Sequence, residues 1–251
     1  MKNRAHGRVA MSQAVAAAFL AAFLLGACGG GDGGGGPAEW DAPYADRVID
    51  HSPVNPLGAT VGVWPYFFQP MAALGPPDGT LNVVSLGYDS SDPTPGGALG
   101  GSLTVGFGTG GASSLPVCIV DGPGDDFAVF ENPFPHTDPG SGIAGTSNEV
   151  VVVEASQDGG TWYEYTPSLN TCANPVEPGC YNNLAGVTPT SQGGDRFDLA
   201  NLTGAPPGFR ACFLRLGDGG TLWPDYGNTQ TDLWDSGADI DAVRVLHYEP
   251  L

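Results

Sequence analysis

"VVVVEASQDGGTWYEYTP", Val150 to Pro167, is the stretch on which the fold turns. A β-branched apolar run leads into Asp158-Gly159, a pair suited to a tight turn with positive φ, and an aromatic run follows from Trp162. The stretch reads as a β-hairpin, with Trp162 expected to return to the core. Similar short runs recur along the chain: "LNVVSLG" from Leu81, "GSLTVGFG" from Gly101, "PVCIVDG" from Pro116, "DFAVFEN" from Asp126, "FRACFLRLG" from Phe209 and "DIDAVRVLHYE" from Asp239. Turn residues bound each of them, and 40 Gly and 23 Pro leave little room for long helices. About eight strands joined by Gly/Pro turns predict an all-β, two-sheet antiparallel β-sandwich.

Working outward, the N-terminus sets the compartment. Lys2, Arg4 and Arg8 precede an apolar run from Val9 to Leu25 that ends in Leu25-Gly26-Ala27-Cys28. This has the form of a signal peptide and is short for a membrane span. Leu-Gly-Ala-Cys resembles the bacterial lipobox, which implies cleavage after residue 27 and lipidation of Cys28. Gly29 is not the Asp that resembles an inner-membrane retention signal, so the expected location is the cell envelope, lipid-anchored at the outer membrane. Residues 28–39 are glycine-rich and read as a flexible tether. Residues 40–251 are then one β-sandwich domain, a length such domains reach without splitting.

The formal net charge is −19, and cleavage after residue 27 removes Lys2, Arg4 and Arg8, leaving −22. Such a charge disfavours nucleic acid as a partner. It serves solubility outside the cell, and it also invites cations. Cys118, Cys172, Cys180 and Cys212 follow Cys28 in a compartment where thiols oxidise. Cys172 and Cys180 flank a polar loop that a local bridge would close. Cys118 and Cys212 sit within apolar strands that a bridge would staple together. Zinc is the rival use of these cysteines, but no close Cys-x-x-Cys pair is present.

"DGPGDDFAVFENPFPH", Asp121 to His136, crowds carboxylates around an apolar strand. Side chains two apart share a strand face, so Glu131 lies on the face of Phe127 and Val129. By the same alternation Asp239 and Asp241 share a face with Val243 and Val245. A carboxylate at the rim of a core costs several kcal/mol unless compensated. Calcium, which takes six to eight oxygens, is one compensation, with ligands drawn from Asp121, Asp125, Asp126, Glu131, Asp239 and Asp241. Asx-type turn capping, or pairing with Arg215 and Arg244, is the other. No EF-hand pattern fixes a ligand set.

The hairpin, through Val153, Ser156, Asp158, Gly159, Trp162 and Tyr165, resembles that of discoidin-like (F5/8 type C) modules of the galactose-binding-like fold. "YADRVID" at Tyr44, "ALGPPDG" at Ala73, "VSLG" at Val84, "AGVTPTSQGGDRFDLA" at Ala185, the acidic stretch at Asp121 and "DIDAVRVL" resemble landmarks of a family of bacterial secreted cell-surface proteins and lipoproteins. The resemblance covers nearly all of residues 40–251 and implies a jelly-roll sandwich at the cell surface. It implies location and fold more firmly than activity.

Enzyme signatures are weak. "GFGTGG" from Gly106 fits a phosphate-loop spelling but leads into no helix. "VGVWPYFFQP" from Val61 and "LWPDYGNTQTDLWDSG" from Leu222 place Trp64, Tyr66, Trp223, Tyr226 and Trp234 among polar loop residues. Aromatic faces beside hydrogen-bonding groups suit sugars, and the same rings would also serve to close the ends of a sandwich. The expectation is a non-catalytic surface module for carbohydrate or another envelope component, stabilised by calcium. The alternatives are an extracellular polysaccharide hydrolase and a purely structural or adhesive protein.

Overall fold

The computed structural model describes residues 44–54, 69–79, 82–87, 100–108, 117–131, 134–137, 144–147, 149–169, 181–188, 190–219 and 237–250. All of them fall within the unit Glu39–Leu251. The strands are β1 (Arg47–Ser52), β2 (Val84–Ser85), β3 (Ser102–Gly106), β4 (Val117–Val120), β5 (Phe127–Glu131), β6 (Phe134–Thr137), β7 (Ala144–Ser147), β8 (Val151–Ser156) and β9 (Trp162–Glu164). They continue with β10 (Ser168–Leu169), β11 (Tyr181–Asn182), β12 (Leu184–Ala185), β13 (Asp195–Phe197), β14 (Arg210–Ala211), β15 (Phe213–Asp218), β16 (Asp239–Val245) and β17 (Tyr248–Pro250).

These strands build an all-β, antiparallel sandwich. One sheet runs β1-β3-β15-β8-β12, with β9 added to β8; a second runs β13-β5-β16-β2; a third, smaller one runs β14-β4-β17. Every strand pair is antiparallel. The first sheet turns Leu103, Val105, Val151, Val153, Ala155, Leu214 and Leu216 inward. Phe127, Val129, Phe197, Ile240, Val243 and Val245 of the second sheet close the same core. Apolar side chains recurring every second residue on facing sheets leave no other arrangement that keeps them dry.

The hairpin at Val150 forms as its residues dictate. Gly159 has φ +73°, and the Ser156 hydroxyl accepts from its N–H at 2.9 Å. The Asp158 carboxylate accepts from the N–H groups of Gly160 and Thr161 at 2.8 and 2.7 Å. Trp162 departs from expectation. It pairs with Ser156, whose face of β8 points away from the core, and lies half-buried on the outer side of the sheet. The Arg215 guanidinium stands 4.3 Å above its ring centroid. Tyr165, three residues on, is the aromatic that returns to the core.

Alternation along β16 also breaks. A bulge between Ile240 and Ala242 sets two residues against one on β5. Ile240 therefore shares the core face with Val243 and Val245, while Ala242 packs outside with Ala128 and Phe130. The expected common face of Asp239, Asp241, Val243 and Val245 does not exist.

Cys118 and Cys212 form a disulfide. Cys118 lies on β4, and Cys212 is the single residue between β14 and β15, where the chain passes from the third sheet to the first. The bridge thus ties two sheets at the point where the chain crosses between them. Cys172 and Cys180 lie outside the described residues.

Candidate functional site

The acids around β5 divide into two groups. Asp121, Asp125 and Asp126 precede the strand and Glu131 ends it, so the groups stand about 13 Å apart at the usual rise of a five-residue strand. β16 runs antiparallel, with Ile240 opposite Glu131 and Val245 opposite Phe127, which brings Asp239 and Asp241 to the Glu131 end. The candidate metal ligands therefore do not converge on one point.

At the Glu131 end, Glu131, Asp239 and Asp241 are all buried. The bulge aims the Asp241 carboxylate at the Gly79 and Asp78 N–H groups, which donate to it at 3.0 and 3.2 Å. Burial raises its pKa, and those amide bonds oppose the rise. Asp241 thus closes the 78–79 turn onto β16, the capping alternative to an ion.

The other end is built by β-sheet register. Phe127 pairs with Phe197 across β5 and β13. Asp126 precedes the one and Asp198 follows the other, so antiparallel pairing sets these two acids side by side at the strand ends. The turn Asp121–Asp126 adds Asp121. Carboxylate oxygens of Asp121, Asp126 and Asp198 lie within 4.8 Å of one another. Asp126 is fully buried, Asp198 half-buried and Asp121 exposed, so the group opens to solvent on one side.

Asp126 organises this end. Its Oδ1 accepts from the Gly122 N–H at 2.8 Å and lies 2.9 Å from His247 Nδ1, and its Oδ2 accepts from the Leu199 N–H at 2.7 Å. Its backbone carbonyl accepts from Leu246 and His247 N–H, which bends the chain between β16 and β17. A Cβ on Gly122 would sit 2.4 Å from the His247 ring, so only glycine lets the imidazole close onto the turn. Asp198 accepts from the Ala200 N–H at 2.8 Å and caps the 3₁₀ turn Leu199–Asn201. Asp125 is half-buried, 3.9 Å from Arg196.

Tyr165 lies beneath this group. Its ring meets Phe127 and Phe197 edge-on at centroid distances of 5.9 and 5.0 Å, and those two rings stack on each other at 5.1 Å. Its hydroxyl is buried and has no hydrogen-bond partner among the described residues. Burial, then the negative fields of Asp126, Asp198 and Asp121, raise its pKa well above the ordinary phenol value. The hydroxyl therefore lies in the field of these carboxylates and stays protonated.

Arg215 does not serve the expected acids. Arg215 makes a two-pronged pair with Glu154, at 2.5 and 2.6 Å, on the outer face of the first sheet. That face also carries Trp162 under Arg215, and Phe213 with the Arg47 guanidinium 5.8 Å from its centroid. Sequence reasoning missed this face by assigning Trp162 to the core. It also missed Asp198 and Tyr165, whose neighbours are set by strand pairing. Cys28 and the loop aromatics Trp64, Tyr66, Trp223, Tyr226 and Trp234 lie outside the described residues.

Chemically, the Asp121 end offers hard oxygen donors, and the outer sheet face offers aromatic planes between fixed polar groups. No protein-family model matches the sequence, and no curated protein matches it.

Proposed function

We propose that the chain is a lipid-anchored cell-envelope protein whose sandwich is a non-catalytic module binding carbohydrate or another envelope component. The observation that supports this reading is the outer face of the first sheet. There Trp162 and Phe213 lie among Arg47, Glu154 and Arg215, a combination suited to the apolar faces and hydroxyls of sugars. In this reading Trp64, Tyr66, Trp223, Tyr226 and Trp234 extend the binding surface, and the sandwich is a jelly roll of the discoidin-like, galactose-binding-like kind. The Gly159 turn and its Ser156 and Asp158 caps support that kinship. Lipidated Cys28 and the glycine-rich tether hold the module near the outer membrane, with a calcium ion offsetting part of its negative charge.

Glycan-array binding tests the reading. Trp162→Ala, Trp223→Ala and Trp234→Ala are expected to lose signal while retaining the parent's melting temperature. Arrays on which neither parent nor variants bind, or on which all bind alike, defeat it; shortened glycans after incubation would make the protein a hydrolase. Cys28→Ser is expected to release the chain from membranes, and retention of that variant would refute the anchor.

A further inference from the structure

We infer that Asp121, Asp126 and Asp198, with the Tyr165 hydroxyl beside them, form a binding site for a calcium ion. The inference deepens the calcium part of the proposed function, is independent of glycan binding, and rests on geometry at the opposite end of β5 from Glu131. Oxygens all within 4.8 Å of one another fit around a single ion whose oxygen ligands stand at about 2.3–2.6 Å, because ligands facing each other across it are then separated by up to about twice that distance. Magnesium demands a strict octahedron and gives up its waters reluctantly, so a set of protein carboxylates suits it less well than calcium. Zinc prefers nitrogen or sulfur, and the nearest imidazole nitrogen, His247 Nδ1, already faces Asp126.

The acids alone would be an ordinary solvated cluster. Tyr165 makes the difference. It is 1 % exposed, its hydroxyl lacks a partner among the described residues, and the carboxylates that act on it are Asp126, Asp198 and Asp121. A buried hydroxyl left unsatisfied costs about 1–3 kcal/mol, so a fold that places one beside such a group leaves room for a missing oxygen partner. A water carried by the ion supplies it, accepting from the hydroxyl. The side chains are also held in place beforehand. Asp126 is fixed by Gly122, Leu199 and His247, Asp198 by its cap on Ala200, and Tyr165 by the Phe127 and Phe197 rings. Exposed Asp121 leaves an entry path.

The test is calorimetric titration of the full-length chain, purified in detergent and stripped with chelator, with calcium chloride and then magnesium chloride. Melting temperatures are recorded in calcium and in chelator. Calcium is expected to bind and to raise the melting temperature more than magnesium does. Asp121→Asn and Asp198→Asn should each weaken binding by at least about tenfold while leaving the chelator melting temperature near the parent's, since the amide oxygen introduced by Asp198→Asn still accepts from the Ala200 N–H. Tyr165→Phe should be at least as stable as the parent in chelator but gain less from calcium, a difference that mere packing would not produce. Asp241→Asn, at the other end of β5, should bind like the parent. The site is refuted if calcium does not bind, if Asp121→Asn and Asp198→Asn bind as the parent does, or if Asp241→Asn alone abolishes binding. An unchanged calcium increment in Tyr165→Phe refutes it equally, because the acids alone are an ordinary solvated cluster.

Discussion

Asp125 and Asp126 are chain neighbours with the same side chain, and the fold gives them opposite tasks. Asp126 is fully buried, and its two oxygens face the Gly122 N–H, the Leu199 N–H and His247 Nδ1. In Asp126→Asn one oxygen becomes an NH₂ group, which must confront either the Leu199 N–H or the Gly122 N–H. At least one charge-assisted bond is lost and one buried donor is left opposed, and the His247 pairing loses its anion. Bonds to charged groups are worth about 1.5–3 kcal/mol each, and breaking a buried pair costs about 3–5 kcal/mol, so the expected loss is about 3–5 kcal/mol. For a domain of this size that corresponds to a fall of about 6–20 °C in melting temperature. Asp125→Asn removes only a half-exposed contact at 3.9 Å from Arg196, and its expected cost is below about 1 kcal/mol. Urea unfolding of both variants and the parent, in chelator so that no ion contributes, measures the contrast. Equal stabilities of the two variants would show that Asp126 does not hold the turn, the 3₁₀ cap and the β16–β17 bend together, and the account of this end of the sandwich would fail.

Replacing Cys118 and Cys212 by Ala opens a loop of 94 residues, and the chain-entropy relation assigns the bridge about 4–5 kcal/mol. Unfolding of the double variant beside the oxidised parent checks this, and a loss under about 1 kcal/mol would mean that sheet packing alone fixes β4 against β15. The buried acids with raised pKa values should also cost stability as pH rises above about 4. Burial raises the pKa values of Asp195 and Asp241 above the ordinary 3.8, so the folded state holds protons that the unfolded state has released, and that stabilisation is lost as pH climbs through the raised values. Asp158, lowered by the Thr161 and Gly160 amides, acts in the opposite sense, its contribution disappearing as pH falls through its folded value. Urea midpoints across this rise in pH should be pulled down less in Asp241→Asn than in the parent; an unchanged slope would sink the assignment.

What could be read from the chain was whatever the chain keeps local. The Asp158-Gly159 turn needs only its own residues, and the Cys118–Cys212 pairing announced itself because each cysteine sat inside an apolar run. β1, "RVIDHS", and β13, "DRF", carried no such signal, since they are polar or short and owe their conformation to the β3 and β5 edges they pair with. The acids show the limit most clearly. Asp121 to Glu131 are close in sequence, yet the intervening strand holds the two ends apart, while Asp198, far along the chain, arrives beside Asp126 through the pairing of Phe127 with Phe197. One extra residue at the Asp241 bulge then reverses which neighbours share a face, and strict alternation has no way to register it. Carboxylates crowd the buried β5 strand, then, because its two ends make different demands. At Asp241 backbone amides consume the charge, and at Asp126 they consume part of it and leave three acids within 4.8 Å of one another, in whose field lies a tyrosine hydroxyl without a partner among the described residues.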